Sequence, residues 1–153
     1  MRPIILILIL LLTAHHGCAS NNVTANIEAD PAMPQDSSFD LSSLIGTTWV
    51  AEDIDQRGVI DNLQSSLQVL SASQVAGFAG CNSFTGSAQF SPGKVHMGQL
   101  ASTRKMCPPA IMDQETKFLA ALGAARSAWM KNGLLYMADE AGTEILRFWE
   151  RTP

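Results

Sequence analysis

Hydrophobic and polar positions divide the chain into three regimes. Ile4 to Leu12 is an unbroken run of nine Ile and Leu residues. From Ala19 to about Asp40, Asn, Asp, Ser, Pro and Ala dominate and large apolar side chains are sparse, the pattern of a linker rather than of a packed element. From Leu41 onward, short periodic stretches alternate with turn residues, as a folded domain requires.

In that third regime most stretches have a period of two. Leu41, Leu44 and Ile45 predict a short helical turn before Gly46. Thr47-Thr48-Trp49-Val50 opens a strand that reaches Ile54 and turns at Arg57-Gly58. Ser66 to Leu70 alternates, with Leu67 and Val69 on one face, and Val75 to Phe78 reads as its partner. Ser87 to Phe90 and Lys94 to Met97 flank Ser91-Pro92-Gly93, a hairpin turn. Ala128 to Met130 and Leu134 to Met137 flank Asn132-Gly133, a pair that tolerates positive φ and marks a tight hairpin. Asp139 to Gly142 turns the chain again, and Glu144 to Trp149, apolar on both faces, predicts a central strand.

A single long segment has helical period. Ala110 to Arg126, preceded by Pro108-Pro109, places Ile111, Phe118, Leu119 and Leu122 on one stripe, with Met112 and Glu115 at its margins. Asp113 and Glu115 are expected to complement the positive end of the helix dipole. Together these elements predict one α+β domain over residues 41–153, with seven or eight short antiparallel strands packed on one main helix.

Length and charge narrow the function classes. A chain of 153 residues fits one domain. With 10 basic and 14 acidic residues the net charge is −4, which lacks the basic footprint of a nucleic-acid binder. The Ile/Leu run falls short of the ~20 residues a spanning helix needs. Behind Arg2 it has the build of a secretory signal, assigned to residues 1–17. His15-His16-Gly17-Cys18 resembles the lipobox of bacterial lipoproteins, in which the cysteine is acylated; the alternative is ordinary cleavage after Ala19. Lipidation at Cys18 would make residues 18–40 a flexible tether on a membrane, with an average span of ~26 Å. The expected location is the periplasmic side of the outer membrane, or the soluble periplasm or exterior if the lipobox is unused. Of the three cysteines, Cys81 and Cys107 would then remain as a pair in an oxidising compartment. Loss of the signal removes Arg2, His15 and His16, leaving a charge of −5 and His96 as the sole histidine.

Two segments carry the most specific pattern: Gly77-Phe78-Ala79-Gly80-Cys81-Asn82-Ser83-Phe84-Thr85-Gly86 and Ser102-Thr103-Arg104-Lys105-Met106-Cys107-Pro108. With Gln114-Glu115 in the helix, Gly46-Thr47-Thr48-Trp49 upstream and Arg147-Phe148 near the end, the chain resembles the META domain family of heat-shock protein HslJ-like proteins over about Leu41 to Arg151. The resemblance implies an antiparallel sheet curled around a helix and no catalytic activity. It also implies a structural or protein-interaction module linked to envelope stress. Its motif residues here are Gly80, Asn82, Phe84, Gly86, Thr103, Arg104 and Glu115. In physical terms, Gly77, Gly80 and Gly86 permit tight turns or close approach, and Asn82 is suited to left-handed geometry and to bonding its own backbone. Phe84 reads as the apolar plug of a Gly-rich loop, stapled by Cys81–Cys107 to the segment leading into the helix.

The residues give little support to nucleophilic or metal chemistry. A Cys81 or Cys107 nucleophile with His96 as base lacks a flanking signature, and a zinc site from Cys81, His96 and Cys107 lacks a short ligand pair. His96 is expected on a solvent-facing strand surface beside Lys94. Glu52, Asp53 and Asp55 are too short a pattern for calcium and read as a solvated strand edge. No metal or cofactor is expected. Arg104 is expected to bond carbonyls or a carboxylate such as Glu115, locking its loop against the helix start; the other reading is an anion or partner site. Met97, Met106, Met112, Met130 and Met137 are expected to be mostly core. The expected partners are the membrane, through the N-terminal lipid, and an unidentified envelope protein; an apolar ligand held between sheet and helix is the alternative.

Overall fold

The computed structural model describes residues 43–152. The expected signal over residues 1–17, the lipidation at Cys18 and the tether over 18–40 lie outside the described residues.

Alternation of apolar and polar side chains builds eight antiparallel strands among the described residues: β1 (Thr48–Ile54), β2 (Ser66–Ser71), β3 (Gln74–Phe78), β4 (Ser83–Ser91), β5 (Lys94–Ser102), β6 (Ser127–Lys131), β7 (Leu134–Ala138) and β8 (Glu144–Arg151). One helix, α1 (Pro109–Ala124), interrupts them between β5 and β6. Each strand pairs with its neighbour in sequence, and β8 returns to β1, so the sheet closes into a barrel. The predicted α+β class, strand number and single helix agree with this arrangement. The curled sheet is in fact closed, which no local pattern announces.

Local chemistry accounts for the turns. Asn132 and Gly133 adopt φ of 52° and 77°, so the β6–β7 hairpin turns where the Asn-Gly pair predicted. Strand β4 begins four residues earlier, at Ser83, and β5 ends five residues later, at Ser102, than their apolar alternation suggested. Gly77 lies inside β3, within the predicted Val75–Phe78 strand, and Gly86 lies inside β4. A Cβ at Gly86 would stand 2.5 Å from Leu100 Cδ2 and 2.8 Å from the Gln99 carbonyl, so the two strands pass too closely there for any side chain.

The closure is uneven. β4 and β5 pair along almost their whole length, whereas β5 meets β6 at one register position, Lys94 with Ser127. Helix α1 spans ~24 Å at 1.5 Å per residue. It leaves the far end of β5 and returns to Ser127 opposite Lys94, so it runs back along β5 and lies beside the stretch that β6 leaves unpaired.

The barrel interior is filled with side chains. Trp49, Leu67, Val69, Leu135, Leu146 and Phe148 from four strands meet Phe118 and Leu122 of α1, each 2 % exposed or less. The Phe118 ring stands edge-on to Phe84 at 6.0 Å and to Phe148 at 6.2 Å, which joins the helix to β4 and β8. Met97 and Met137 are core as expected, whereas Met106 is 93 % exposed.

Because Phe118 is the ring through which the helix enters the core, Phe118→Ala should destabilise the fold by about 3–5 kcal/mol. Urea unfolding followed by tryptophan fluorescence measures this; a loss below about 1 kcal/mol would mean that the site collapses without a cavity.

Candidate functional site

The motif residues converge where the β3–β4 turn meets the β5–α1 connection. Residues 79–82 make the turn, closed by Ala79 N–H donating to the Asn82 carbonyl at 2.8 Å. Gly80 sits at φ +113°, a conformation that L side chains rarely adopt, so the turn needs glycine there. Cys81 and Cys107 are joined by a disulfide with Cα atoms 6.1 Å apart, tying this turn to the residue just before the Pro108-Pro109 start of the helix. The predicted pairing is therefore formed.

Asn82 and Glu115 form the centre of the site. Asn82 is 1 % exposed and Glu115 is 5 % exposed. Glu115 Oε2 accepts the backbone N–H of Asn82 at 2.7 Å and of Cys81 at 3.3 Å, while Oε1 accepts Asn82 Nδ2 at 2.8 Å. The same Nδ2 donates to the Lys105 carbonyl at 3.2 Å. Asn82 Oδ1 accepts the Lys105 N–H at 2.6 Å and the Thr103 hydroxyl at 2.8 Å. The Thr103 N–H donates to the Ser83 carbonyl at 3.0 Å. Every donor and acceptor of the Asn82 amide is thus used, which is how a buried amide avoids an unpaired polar group.

The neighbouring Gln114 does the same for a second loop. Its Oε1 accepts the Ile60 N–H at 2.7 Å and its Nε2 donates to Ser65 Oγ at 3.2 Å. The two adjacent helix residues therefore anchor the 55–65 connection and the 79–82 turn from one face of α1. Asp53 completes the first anchor: its carboxylate accepts the N–H groups of Gln56 at 2.7 Å and Gly58 at 2.9 Å. Asp55 and Gln56 are thereby held at positive φ of 52° and 59°.

Several expectations are corrected by this geometry. Glu115 lies on the buried face of α1, not at its margin, and its carboxylate serves the 79–82 turn rather than the helix dipole. Asn82 is not left-handed and bonds Thr103, Lys105 and Glu115 rather than its own backbone. Phe84 is buried as expected, but as a residue of β4 and not as a loop plug. Asp53 is only 9 % exposed and caps a turn, so it is no solvated strand edge. Arg104 is exposed, and its guanidinium makes no hydrogen bond or ion pair among the described residues. The lock between loop and helix exists, but Asn82 supplies it. Arg147 instead pairs with Glu52 at 2.5 Å, and that hydrogen bond raises its pKa above the ordinary value. His96 is exposed on β5 beside Lys94, as predicted.

The result is an irregular segment, Thr103 to Pro108, fixed at Thr103, Lys105 and Cys107 while Arg104, Lys105 and Met106 face solvent. The bridged sulfurs of Cys81 and Cys107 offer no thiolate. Two surface clefts flank Ile60: one of about 210 Å³ lined by residues including Arg57, Gln114 and Lys117, and one of about 260 Å³ lined by residues including Glu52, Leu63 and Trp149. Both open to solvent, and the core residues Ile54 and Ala51 contribute to their walls.

Comparison with known proteins agrees with the motif pattern. The family model of the META domain matches residues 42–152. No curated protein matches the chain. Among solved structures, a protein from Burkholderia xenovorans determined by NMR is 24 % identical; the match covers 81 % of this chain and all of that one, with a TM-score of 0.59. A crystal structure of a DUF4847 family protein from Bacteroides vulgatus is 14 % identical, covering 71 % of this chain and 94 % of that one, with a TM-score of 0.56. At these identities the likeness concerns the fold.

Two outcomes check the node. Glu115→Gln replaces one acceptor oxygen by an NH₂ group that must face an N–H donor, and should cost about 1–3 kcal/mol in urea unfolding; an unchanged midpoint would show that the node carries no stability. Reducing Cys81–Cys107 reopens a loop of 26 residues and should cost about 3.5 kcal/mol by loop closure, read as a lower melting temperature in dithiothreitol.

Proposed function

From the premise that the chain belongs to the META domain family, we propose that it is a non-enzymatic module of the cell envelope that works through its outer surface, as a structural or protein-interaction element in envelope stress. The observation that carries this reading is the filled barrel. A carrier of an apolar ligand needs an interior cavity, typically ~300 Å³ or more. Here the space between sheet and helix is taken by Trp49, Phe84, Phe118 and Phe148, each 2 % exposed or less.

The site chemistry supports the same reading. Asn82 has all four hydrogen-bonding sites of its amide used, and Glu115 accepts three bonds while only 5 % exposed, so neither side chain is presented to solvent. Their work is to hold a loop in place. Attachment to the membrane through lipid on Cys18, with residues 18–40 as tether, belongs to the same proposal and rests on the Ile4–Leu12 run and the Gly17-Cys18 pair.

Native mass spectrometry of protein isolated from its own cells tests the choice. The expected spectrum shows no non-covalent apolar ligand; a lipid or fatty acid released on collisional activation would favour the carrier. A covalent mass increment on Cys18 would be the anchor, and its removal with residues 1–40 separates the two signals.

A further inference from the structure

We infer that the Arg104–Met106 tip of the β5–α1 connection is a docking element for a protein partner that presents acidic side chains around an apolar recess. This rests on the reading of the chain as an interaction module and names the surface that acts.

Exposure supplies the first argument. The other large apolar side chains on the surface are 36–47 % exposed, whereas Met106 is 93 % exposed and so touches almost nothing of its own chain. A lone exposed apolar residue is ordinary on a mobile loop, but this loop is fastened. Asn82 holds both the N–H and the carbonyl of Lys105, Thr103 is bonded to Ser83 and Asn82, and the disulfide fixes Cys107, the residue after Met106. A buried amide, a buried carboxylate and a disulfide thus fix the backbone of a tip that returns no side chain to the core. Fixing a loop in advance lowers the ordering cost when it binds.

Charge supplies the second argument. Arg104 and Lys105 are adjacent, exposed and without an ion pair among the described residues, on a chain whose net charge is −4. Glu115, the carboxylate nearest in the network, is occupied by Cys81 and Asn82. The two cations therefore form a local positive site with unsatisfied donors, complementary to carboxylates. Methionine between such cations suits a protein recess, because its flexible thioether adapts to irregular apolar contacts, and Met and Arg are enriched at interfaces. Two cations on an acidic chain are a poor match for a phosphate polymer, where six to ten contacts are the usual order. A membrane surface would select Trp or Tyr over Met.

Site-specific photocrosslinking with the full-length chain tests this. A benzophenone side chain is placed at position 106 in the native cell, with the same probe at Leu70, exposed on β2, as the reference. The expected result is one discrete protein adduct at position 106, whose crosslinked peptide contains Asp or Glu next to apolar residues. The double variant R104E/K105E should lower that yield at least about tenfold, the loss expected when interface charges are reversed. Because neither cation is bonded in the fold, the double variant should melt with the wild type, so a lost adduct is not lost folding. Three results overturn the proposal: no adduct at 106, an adduct that survives charge reversal, or transfer of the probe to lipid. A protein adduct at Leu70 with none at 106 leaves the interaction module standing and removes this loop from it; an absence at both positions removes both.

Discussion

A carboxylate taken out of water must be given donors, and in this domain Glu115 receives three of them from the 79–82 turn. That requirement organises this end of the molecule. Because Glu115 is on the core face of α1, its bonds pull the β3–β4 turn onto the helix. Because Asn82 is one of the donors, its remaining atoms are left pointing at Thr103 and Lys105, and the β5–α1 connection is ordered in turn. Remove the acceptor and the buried N–H groups of Cys81 and Asn82 have nothing to bond. The disulfide adds a covalent limit on how far turn and helix can separate, but it does not satisfy those groups.

How much of this was legible in the chain depends on sequence distance. The Asn132-Gly133 hairpin, the period-two strands and the Phe118–Leu122 stripe were readable because each rests on neighbours a few positions apart. The position of Glu115 was also encoded, three residues before Phe118 and seven before Leu122, but its polarity pushed it to the margin of the predicted stripe. The partners of Asn82 were not readable. Glu115 lies 33 positions away and Thr103 lies 21 away, and only the closed barrel brings them together. Arg104 illustrates the opposite error: its chemistry suits a lock, yet the short amide of Asn82 reaches the same groups from inside. Of the two roles open to the glycines, tight turn or close approach, Gly77 and Gly86 take the second, which only the neighbouring strands decide.

The filled interior and the fastened loop complement each other. In a small barrel, Trp49, Phe84, Phe118 and Phe148 pack the space between sheet and helix and make the framework stiff. The loop at Arg104–Met106 receives that rigidity through Asn82, and the 55–65 connection receives it through Gln114. Adjacent residues on one helix thereby set the positions of two separate surface segments.

The single register pair between β5 and β6 has a consequence of its own. Beyond Lys94 and Ser127 the flanks of those strands carry backbone groups that would serve as a template for a foreign strand if bared. Helix α1 lies beside that exposed flank, and it does so only while Gln114, Glu115 and Phe118 remain engaged. The helix is therefore also a guard: its undocking would turn a self-contained barrel into a sticky open ribbon, so the groups that order the loop also protect the protein from self-assembly.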